Sequence, residues 1–538
     1  MAHGSVLLIV PGLAALAAVL VGCGGDGGGP SPSPSPPPGP PPGPVDCPAV
    51  MKRGHCTSCF WTGSATTCKA CSGDYELDAS PSSPELSCSF NCSSFKPQAM
   101  PPFPASATQL NGIQWPTVCI GESVSRFFTI GDWGGVCGWG KGNQCHNGTK
   151  PAICVCGPEC GDEGKPCPMP NRPAGLKAID GVAQRLVSDR MLARQEELVK
   201  AGTPAHFIVN VGDNFYPGGI DYHCGVGDKS AMATQFKQVW KDMYPGELSK
   251  LEWWGVLGNH DYGGTCYIKG WDQQIFYTWH DDKWVMPAQY WRRTVQYKNF
   301  KADFFFLDGN VYDTTPGTIA SHDICSVKSN PGLHCELANY PGDGANCAAT
   351  GPHDQPSCKG WFKKLWEDNV RWLKDNLPKS DAEWQILVNH YPASFSTGYA
   401  PESYMDWSKF LEPMGVDLYI SGHTHEQGIY YGDFGPGRNM GASAWVITGG
   451  GGGVTSEEAP HVNGEDDSYG YMEIVLSLES INVTTYSHGG RQGRNIIRNS
   501  TSVAPVARHS YMQLVRAGLL KREETPEGSL SSESELIF

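Results

Sequence analysis

Five apolar segments of this 538-residue sequence end in side chains that are able to bind metal ions. A single Gly-Asp pair is usually a turn, since both residues favour turn geometry, and a lone buried histidine is more often a core residue than a ligand. Five such endings in one chain favour a shared metal site instead. They are Asp132 in FFTIGDWGG, Asp213 and Tyr216 in FIVNVGDNFY, Asn259 and His260 in WWGVLGNHDYGG, His390 in WQILVNHYP, and His423 and His425 in DLYISGHTH.

These side chains offer two kinds of donor atom. Phenolate and carboxylate oxygens are hard donors that suit ferric iron, whereas imidazole nitrogens suit divalent iron or zinc. A pair of metal ions can hold the attacking and leaving oxygens of an in-line phosphoryl displacement, and it lowers the pKa of a bound water. The donor set is therefore compatible with a two-metal hydrolytic site.

The elements that position these side chains follow an α/β pattern. Each apolar segment is short and ends in a turn, as a strand does, and segments with helical periodicity separate several of them. In open α/β sheets ligands gather beyond the carboxyl ends of the strands, so the five endings can converge on one crevice. Helices are predicted over residues 183–201, 235–244 and 361–376, and an antiparallel hairpin over 471–490. The run GGGGGVTSEEAP, which begins at Gly449, is interpreted as a flexible loop.

The order of the motifs (GD, GDN, GNH, a lone His and GHxH) resembles the metallophosphoesterase superfamily over residues of about 125–490. The forms GDWGG, GDNFY and GNHD look most like purple acid phosphatases of the short, tartrate-resistant type. The resemblance implies an α/β fold, a metallophosphoesterase-like four-layer αββα sandwich, preceded here by a small disulfide-rich module. It also makes Tyr216 the discriminating residue, because a tyrosine three residues after the bridging aspartate binds ferric iron in purple acid phosphatases.

Carried over position by position, the resemblance implies two adjoining metal sites with Asp213 as the bridging ligand. One site would hold Fe(III), and the other would hold divalent iron, zinc or manganese. The implied ligands of Fe(III) are Asp132, Tyr216 and His425, and those of the divalent ion are Asn259, His390 and His423.

His260 directly follows a metal ligand, and the resemblance gives it phosphate contact and protonation of the leaving group. A structural role for this histidine stays open, because a GNH motif alone does not prove a proton donor. Asn259 and Tyr399 are further candidates for substrate contact. Tyr399 lies nine residues after His390, where tartrate-resistant relatives have a second histidine, so the chain departs from the family there.

The function that the resemblance implies is hydrolysis of phosphomonoesters, as in an acid phosphatase, by attack of a metal-bound hydroxide. Two alternatives stay open. A metallophosphoesterase that acts on diesters or nucleotides would differ in the shape of the substrate rim, which sequence does not reveal. A surface binding protein with a vestigial phosphatase domain would be expected to have lost some ligands, whereas all seven are present.

Composition and charge narrow the class of protein. The formal net charge of −15 and the pI near 5.5 argue against a nucleic-acid-binding protein, which usually carries a basic face. The 21 cysteines indicate an oxidising compartment. Four acceptor sequons agree with a secreted glycoprotein. They lie at Asn91, Asn147, Asn482 and Asn499. We therefore expect a secreted or cell-surface protein, and the resemblance implies small phosphomonoester substrates.

The first residues have the features of a targeting segment. Residues 1–24 contain an apolar stretch that ends in small residues, and we interpret them as a cleaved signal peptide. Anchoring by the same stretch and lipidation of Cys23 in LVGC are the alternatives. Residues 25–46 are a Pro-, Ser- and Gly-rich linker, for which an extended polyproline conformation is expected.

Cysteine content marks the next boundary. Residues 47–98 are expected to form a disulfide-stapled module with seven cysteines, so at least one of these pairs outside the module or stays free. Its CxxC…CxxC spacing also resembles a zinc knuckle, but disulfides are the preferred interpretation in a secreted chain. The module is a candidate for attachment to a surface or matrix. The catalytic domain is expected over residues 118–490, with a cysteine-rich insertion at 137–168, and a polar tail over 502–538.

Overall fold

This computed structural model describes residues 44–45, 55–61, 66–78, 87–134, 166–167, 179–180, 183–216, 218–220, 222–264, 267–314, 323–325, 347, 350–353, 355–394, 406–432, 440–453, 468–488 and 496–506. The predicted signal peptide, nearly all of the linker, most of the insertion at 137–168, residues 507–538 and Tyr399 lie outside the described residues.

The strands of the described residues are, in chain order, β1 (Pro44–Val45), β2 (Cys56–Trp61), β3 (Thr66–Cys71), β4 (Glu76–Asp78), β5 (Ser87–Ser89), β6 (Ile113–Ile120), β7 (Val124–Ile130), β8 (Pro166–Cys167), β9 (Ile179–Asp180), β10 (Ala205–Asn210), β11 (Glu252–Gly255), β12 (Trp284–Val285), β13 (Trp291–Tyr297), β14 (Lys301–Phe306), β15 (Trp384–Val388), β16 (Leu418–Ser421), β17 (Gln427–Tyr430), β18 (Ala444–Thr448), β19 (Gly470–Ser477), β20 (Ile481–Ser487) and β21 (Ile496–Val503). The α-helices are α1 (Ala183–Lys200), α2 (Trp271–Phe276), α3 (Gln355–Asn376) and α4 (Trp407–Phe410). Short 3-10 helices cover Ser230–Met232, Gly246–Lys250, Tyr277–Trp279, Asn310–Thr314 and Leu377–Lys379, and a π-helix covers Phe236–Lys241.

Two large mixed sheets form the centre of the protein. Sheet 1 has the strand order β12-β11-β10-β7-β19-β20-β21, and sheet 2 has the order β17-β18-β16-β15-β14-β13-β6. Strands β7, β10, β11 and β12 are parallel in sheet 1, and strands β14, β15, β16 and β18 are parallel in sheet 2. The carboxyl ends of the parallel strands therefore share one edge within each sheet.

The core lies between the sheets. Side chains alternate along a strand, so Phe127 of β7 faces the other sheet whereas Phe128 faces outward. In β14, Phe304 points inward and Phe305 outward by the same rule. The ring of Phe304 packs edge-on against the rings of Phe127 and Phe207 of sheet 1, and its centroid lies 5.5 Å from each of theirs. Aromatic rings from both sheets thus fill the space between them.

Helices cover the outer faces of the two sheets. On sheet 1, Val187 and Met191 of α1 join the same apolar cluster as Phe128. On sheet 2, Trp366 and Leu373 of α3 join the cluster of Phe305. The order is helix, sheet, sheet, helix, and it confirms the predicted αββα sandwich.

Helix α1 confirms the helix predicted over 183–201, and the larger part of α3 confirms the one predicted over 361–376. The antiparallel pair β19 and β20 confirms the predicted hairpin. Residues 235–244 differ, since they contain a π-helix rather than an α-helix. There the backbone N–H of Asp242 donates to the carbonyl of Lys237 at 2.9 Å. The rings of Phe236 and Trp240 both pack against Trp284 with centroids 5.2 Å away, and the wider turn accommodates them.

Two edge strands extend the sandwich beyond the predicted bounds of 118–490. Strand β6 begins at Ile113 and pairs with β13, and β21 runs from Ile496 to Val503 beside β20. The second of these strands includes the first residues of the predicted tail. Its sequence, IIRNSTSV, is largely polar, as an edge strand that is only partly buried can be. It therefore lacks the apolar pattern by which a strand is recognised in a sequence.

The described part of the cysteine-rich module is cross-linked by disulfides. Cys56 bonds Cys68, and Cys71 bonds Cys88, so these cysteines are not free to form a zinc knuckle. Cys92 bonds Cys119 of β6, outside the module. The expectation that one of its cysteines pairs elsewhere is therefore confirmed.

The module also contacts sheet 2 directly. The side chain of Gln296 donates to the hydroxyl of Tyr75 at 2.7 Å, and His55 lies 3.3 Å from a carboxylate oxygen of Glu383. Glu383 directly precedes β15, whereas the predicted ligand His390 follows its other end. The module is therefore docked at the end of the sheet that lies opposite the predicted metal ligands.

Among the described residues, no helix combines the length and apolar character that crossing a membrane requires.

Deleting residues 1–97 is expected to lower the thermal stability of the protein, because it removes the partner of Cys119 and the docking contacts on Gln296 and Glu383. A disulfide that closes a loop of this size typically contributes about 2–4 kcal/mol to the free energy of unfolding. The melting temperature of the shortened chain and of a full-length Cys92→Ser, Cys119→Ser variant would separate docking from cross-linking. A shortened chain as stable as the full chain would contradict an integral role for the module. The fraction of the shortened chain that folds is still expected to hydrolyse an aryl phosphate.

Candidate active site

Seven of the side chains singled out in the sequence meet at one edge of the two sheets. Sheet 1 supplies four of them from the turns after β7, β10 and β11, and sheet 2 supplies three from the turns after β15 and β16. Because the carboxyl ends of parallel strands lie together, these turns are neighbours. The seven buried residues are Asp132, Asp213, Tyr216, Asn259, His390, His423 and His425.

The hydroxyl of Tyr216 lies at the centre of a first group of donor atoms. It is 3.1 Å from Oδ1 of Asp132 and 2.8 Å from Oδ2 of Asp213. It is also 3.2 Å from Nε2 of His425, and this nitrogen is 3.6 Å from Oδ1 of Asp132. Three oxygens and one nitrogen thus converge on one small volume.

A second group meets at Oδ1 of Asn259. This oxygen lies 3.1 Å from Nε2 of His390 and 3.2 Å from Nδ1 of His423. The two imidazole nitrogens are 3.2 Å apart. Nε2 of His390 is also 3.5 Å from Oδ2 of Asp213, the oxygen that faces Tyr216. One carboxylate oxygen of Asp213 therefore faces both groups.

The hydrogen bonds of His390 test whether the second group suits a metal ion. Its Nδ1 lies 2.8 Å from the carbonyl oxygen of Val211, which can only accept, so Nδ1 carries the ring proton. In the neutral ring the lone pair of Nε2 then faces the amide oxygen of Asn259, acceptor against acceptor. A cation between them, either a proton on Nε2 or a metal ion, removes this repulsion, and ligating histidines commonly donate their other N–H to a backbone carbonyl. The side chains present fit a metal ion.

The charges around the cluster attract further positive charge. Burial, together with the neighbouring carboxylates, raises the pKa of Tyr216 well above its ordinary value, and burial also raises the pKa of Asp132. Burial opposes protonation of His390, but the carboxylates of Asp213 and Asp132 outweigh it and raise the pKa of His390 to about 10. A cation at this point favours the ionised forms of the phenol and the carboxyl groups.

Sharp turns bring the ligands into place. Asp132, Asp213 and His423 have the left-handed backbone conformation, with φ values of 57°, 53° and 71°. This conformation costs about 1–2 kcal/mol for a residue with a Cβ, and such residues concentrate at functional sites. A Cβ at Gly258 would collide with the carboxylate of Asp213, and one at Gly422 with that of Asp132. The motif glycines are therefore required because carboxylates of neighbouring turns occupy the space beside them.

A buried polar network that the sequence reasoning missed supports the ligand turns of sheet 1. The carboxylate of Asp261 accepts the backbone N–H of Gly258 at 2.8 Å and that of Asn214 at 2.9 Å. Burial, and then the charge of Asp213, raises the pKa of Asp261 to about 7. Asn214 and Asp261 could have been noticed in the sequence, because Asn214 directly follows Asp213 in the GDN motif and Asp261 directly follows His260 in GNHD.

His260 is half-buried beside the first group. Its ring centroid lies 4.4 Å from that of Tyr216, and its backbone N–H donates to Oδ1 of Asp213 at 2.9 Å. The imidazole therefore lies next to the phenol at the edge of the cluster. Tyr399, the other candidate for substrate contact, is outside the described residues.

Comparison with known proteins decides the family. The family described as calcineurin-like phosphoesterase matches residues 130–427, which span both groups of donor atoms and exceed half of the chain. This chain belongs to that family.

Related proteins of this phosphoesterase family include acid phosphatases from animals and plants. The chain is 23% identical over 402 residues to human tartrate-resistant acid phosphatase type 5, a match that covers 71% of this chain and 93% of the human protein. It is 25% identical to the rabbit protein of the same name over 44% of this chain and 62% of that protein. It is 27% identical to purple acid phosphatase 7 of Arabidopsis thaliana over 44% of this chain and 58% of that protein. The chain thus spans less than two thirds of the rabbit and plant relatives.

These findings confirm the resemblance to metallophosphoesterases of the purple acid phosphatase type, and the relatives that carry this resemblance are named acid phosphatases. The family implies a binuclear metal centre and small phosphoester substrates. The ligand role of each of the seven side chains and the role of His260 stay predictions.

The described part of the cysteine-rich module contacts sheet 2, and no comparison supports its attachment to a surface.

Asp213→Asn is expected to lower the bound metal from two ions per chain to one or fewer, because a neutral amide replaces the charge that faces both groups. Elemental analysis after dialysis measures this. Asp417→Asn is the matched control, since Asp417 is equally buried and accepts the backbone N–H groups of Gln385 and Val506 at 2.8 Å. Two ions retained by Asp213→Asn would refute the bridging position.

Proposed function

We propose that this protein is a secreted purple acid phosphatase that hydrolyses phosphomonoesters at a centre of one Fe(III) ion and one divalent iron, zinc or manganese ion. The observation that carries the proposal is the position of Tyr216. Its hydroxyl lies within 3.2 Å of atoms of Asp132, Asp213 and His425, in a buried site. Phenolate and carboxylate oxygens are donors that suit ferric iron, and this phenol is the residue that distinguishes purple acid phosphatases among the resembling enzymes.

The two groups of donor atoms correspond to the two ions of the proposal. The ferric ion would be held by the group around Tyr216, and the divalent ion by the group around Asn259, with Asp213 shared. Bound there, the ions would supply a nucleophile from water and stabilise charge on the transferring phosphoryl group. That all seven donors are present and in mutual contact supports an active enzyme over a vestigial domain.

Side chains at the edge of the cluster can bind the phosphate and deliver a proton. The amide nitrogen of Asn259 is buried and makes no hydrogen bond within the described part of the chain, so it can donate to a phosphate oxygen. His260 would protonate the leaving oxygen from its place beside Tyr216. A tyrosine at position 399 is a poor acid, because its ordinary pKa is about 10, and this leaves the task to His260.

Secretion is part of the proposal, and the disulfides support it. Stable disulfides form in oxidising compartments such as the secretory pathway. The sequon residue Asn91 is exposed, which would allow glycosylation there. The described disulfides are Cys56–Cys68, Cys71–Cys88, Cys92–Cys119, Cys224–Cys347 and Cys325–Cys358.

The purified protein is expected to be pink to purple, through charge transfer from the phenolate of Tyr216 to ferric iron. Tyr216→Phe is expected to abolish the visible band while the fold persists. Tyr262→Phe is the control, since Tyr262 is also buried but its hydroxyl donates to Asp308 at 2.7 Å. An unchanged visible spectrum in Tyr216→Phe would refute the assignment of Tyr216 as a ligand of ferric iron.

His260→Ala is expected to lower the rate on an alkyl phosphate by about 10²–10⁴-fold, the usual contribution of general acid catalysis. Nitrophenyl phosphate needs less protonation of its leaving group, so its rate should fall clearly less. His280→Ala, which removes a surface contact with Asp228, is the control. Equal losses on both substrates would mean that His260 acts in phosphate binding or in structure instead.

A further inference from the structure

The run of glycines after β18 differs from its expected role as a flexible loop. Its first five residues, 449–453, are buried. The backbone N–H groups of Gly451 and Gly453 donate to the carbonyls of Gly131 and Asp132 at 2.9 Å and 2.8 Å. The run therefore continues β18 along the turn that presents Asp132. We call residues 449–453 the glycine tract.

The glycine tract has no room for side chains where it passes the first group of donor atoms. A Cβ at Gly453 would lie 2.7 Å from Cδ2 of the Tyr216 ring and 2.8 Å from the carbonyl oxygen of Asp132. A Cβ at Gly449 would lie 2.9 Å from Oδ2 of Asp132. Real Cβ atoms essentially never approach other atoms closer than 3.0 Å. The bare backbone of the tract is thus in direct contact with two of the proposed ferric ligands.

The closest approaches of the tract to the cluster involve the first group of donor atoms. The nearest neighbours of its glycines include Asp132, Tyr216 and the backbone of His425, all of which belong to the first group. Within the described residues, these neighbours do not include Asn259, His390 or His423 of the second group. The tract therefore lies directly beside the first group of donor atoms.

We propose that the glycine tract is a positioning element for the ferric half of the centre, and that it fixes the Tyr216 ring and the Asp132 carboxylate through close backbone contact. This inference rests on the proposed function. A methyl group at position 453 displaces either the Tyr216 ring or the turn of Asp132, and both displacements move a ligand of the same ion. The other ion shares only Asp213 with this half of the centre, and its remaining predicted ligands lie in the second group, so its binding is expected to be preserved.

The test is the full-length Gly453→Ala protein, with each bound metal counted by elemental analysis and the visible spectrum recorded. We expect about 10–100-fold weaker binding of one ion, the usual effect of losing support behind a ligand. The other ion should bind as in the unmodified protein, and the remaining visible band should shift or weaken. Gly449→Ala, whose Cβ would lie 2.9 Å from a side-chain oxygen and no closer than 3.3 Å to the backbone, is a milder second variant with the same expected direction.

Gly450→Ala is the matched control. Its Cβ would collide with the carbonyl oxygen of Ser468 and lie 2.8 Å from Nε2 of Gln427, neither of which is a predicted ligand. It should lower the melting temperature without changing the spectrum or the metal content. Unchanged metal content and spectrum in Gly453→Ala and Gly449→Ala, or an equal change in Gly450→Ala, would overturn the inference. If the unmodified protein is colourless, the assignment of one ion as ferric iron is refuted. The inference about the tract is still tested in that case, because the number of ions bound by Gly453→Ala can be measured without the visible band.

Discussion

The position of one buried carboxylate oxygen constrains the rest of this structure. Oδ2 of Asp213 is 2.8 Å from the hydroxyl of Tyr216 and 3.5 Å from Nε2 of His390. Burying a carboxylate is costly unless it is paired or binds a cation. Asp213 and Tyr216 follow a strand of sheet 1, whereas His390 follows a strand of sheet 2. The contact therefore exists only when the two sheets pack face to face, and the aromatic core between them is what holds that arrangement.

Sharp turns with close backbone packing satisfy this constraint at the ends of the strands. Asp132, Asp213 and His423 adopt left-handed backbone conformations where they follow their strands. The glycines beside them leave space that the neighbouring carboxylates fill. The close packing of these turns brings the donor atoms together before any cation is bound, and such preorganisation favours a tight and specific metal site.

The sequence predicted an α/β fold whose strand endings converge, and the resemblance to metallophosphoesterases implied the four-layer sandwich and the seven predicted ligands that the structure brings together. Other features depend on contacts between distant segments. The bond between Cys92 and Cys119 is one of many possible pairings of the cysteines, so spacing alone does not select it. The role of Gly453 depends on the Tyr216 ring more than 200 residues away in the chain. Strand β21 was missed because its pairing with β20, rather than its own apolar pattern, makes it a strand.

The two ends of the sandwich consequently differ in what they can contribute to chemistry. Glu383, which contacts His55 of the cysteine-rich module, precedes β15, and His390 follows it. Seven residues at 3.3 Å each separate them by roughly 23 Å along the strand. This contact is too far from the cluster to touch a bound phosphate. Any influence of this contact on the proposed activity would therefore pass through the stability of sheet 2, which carries three of the seven predicted ligands.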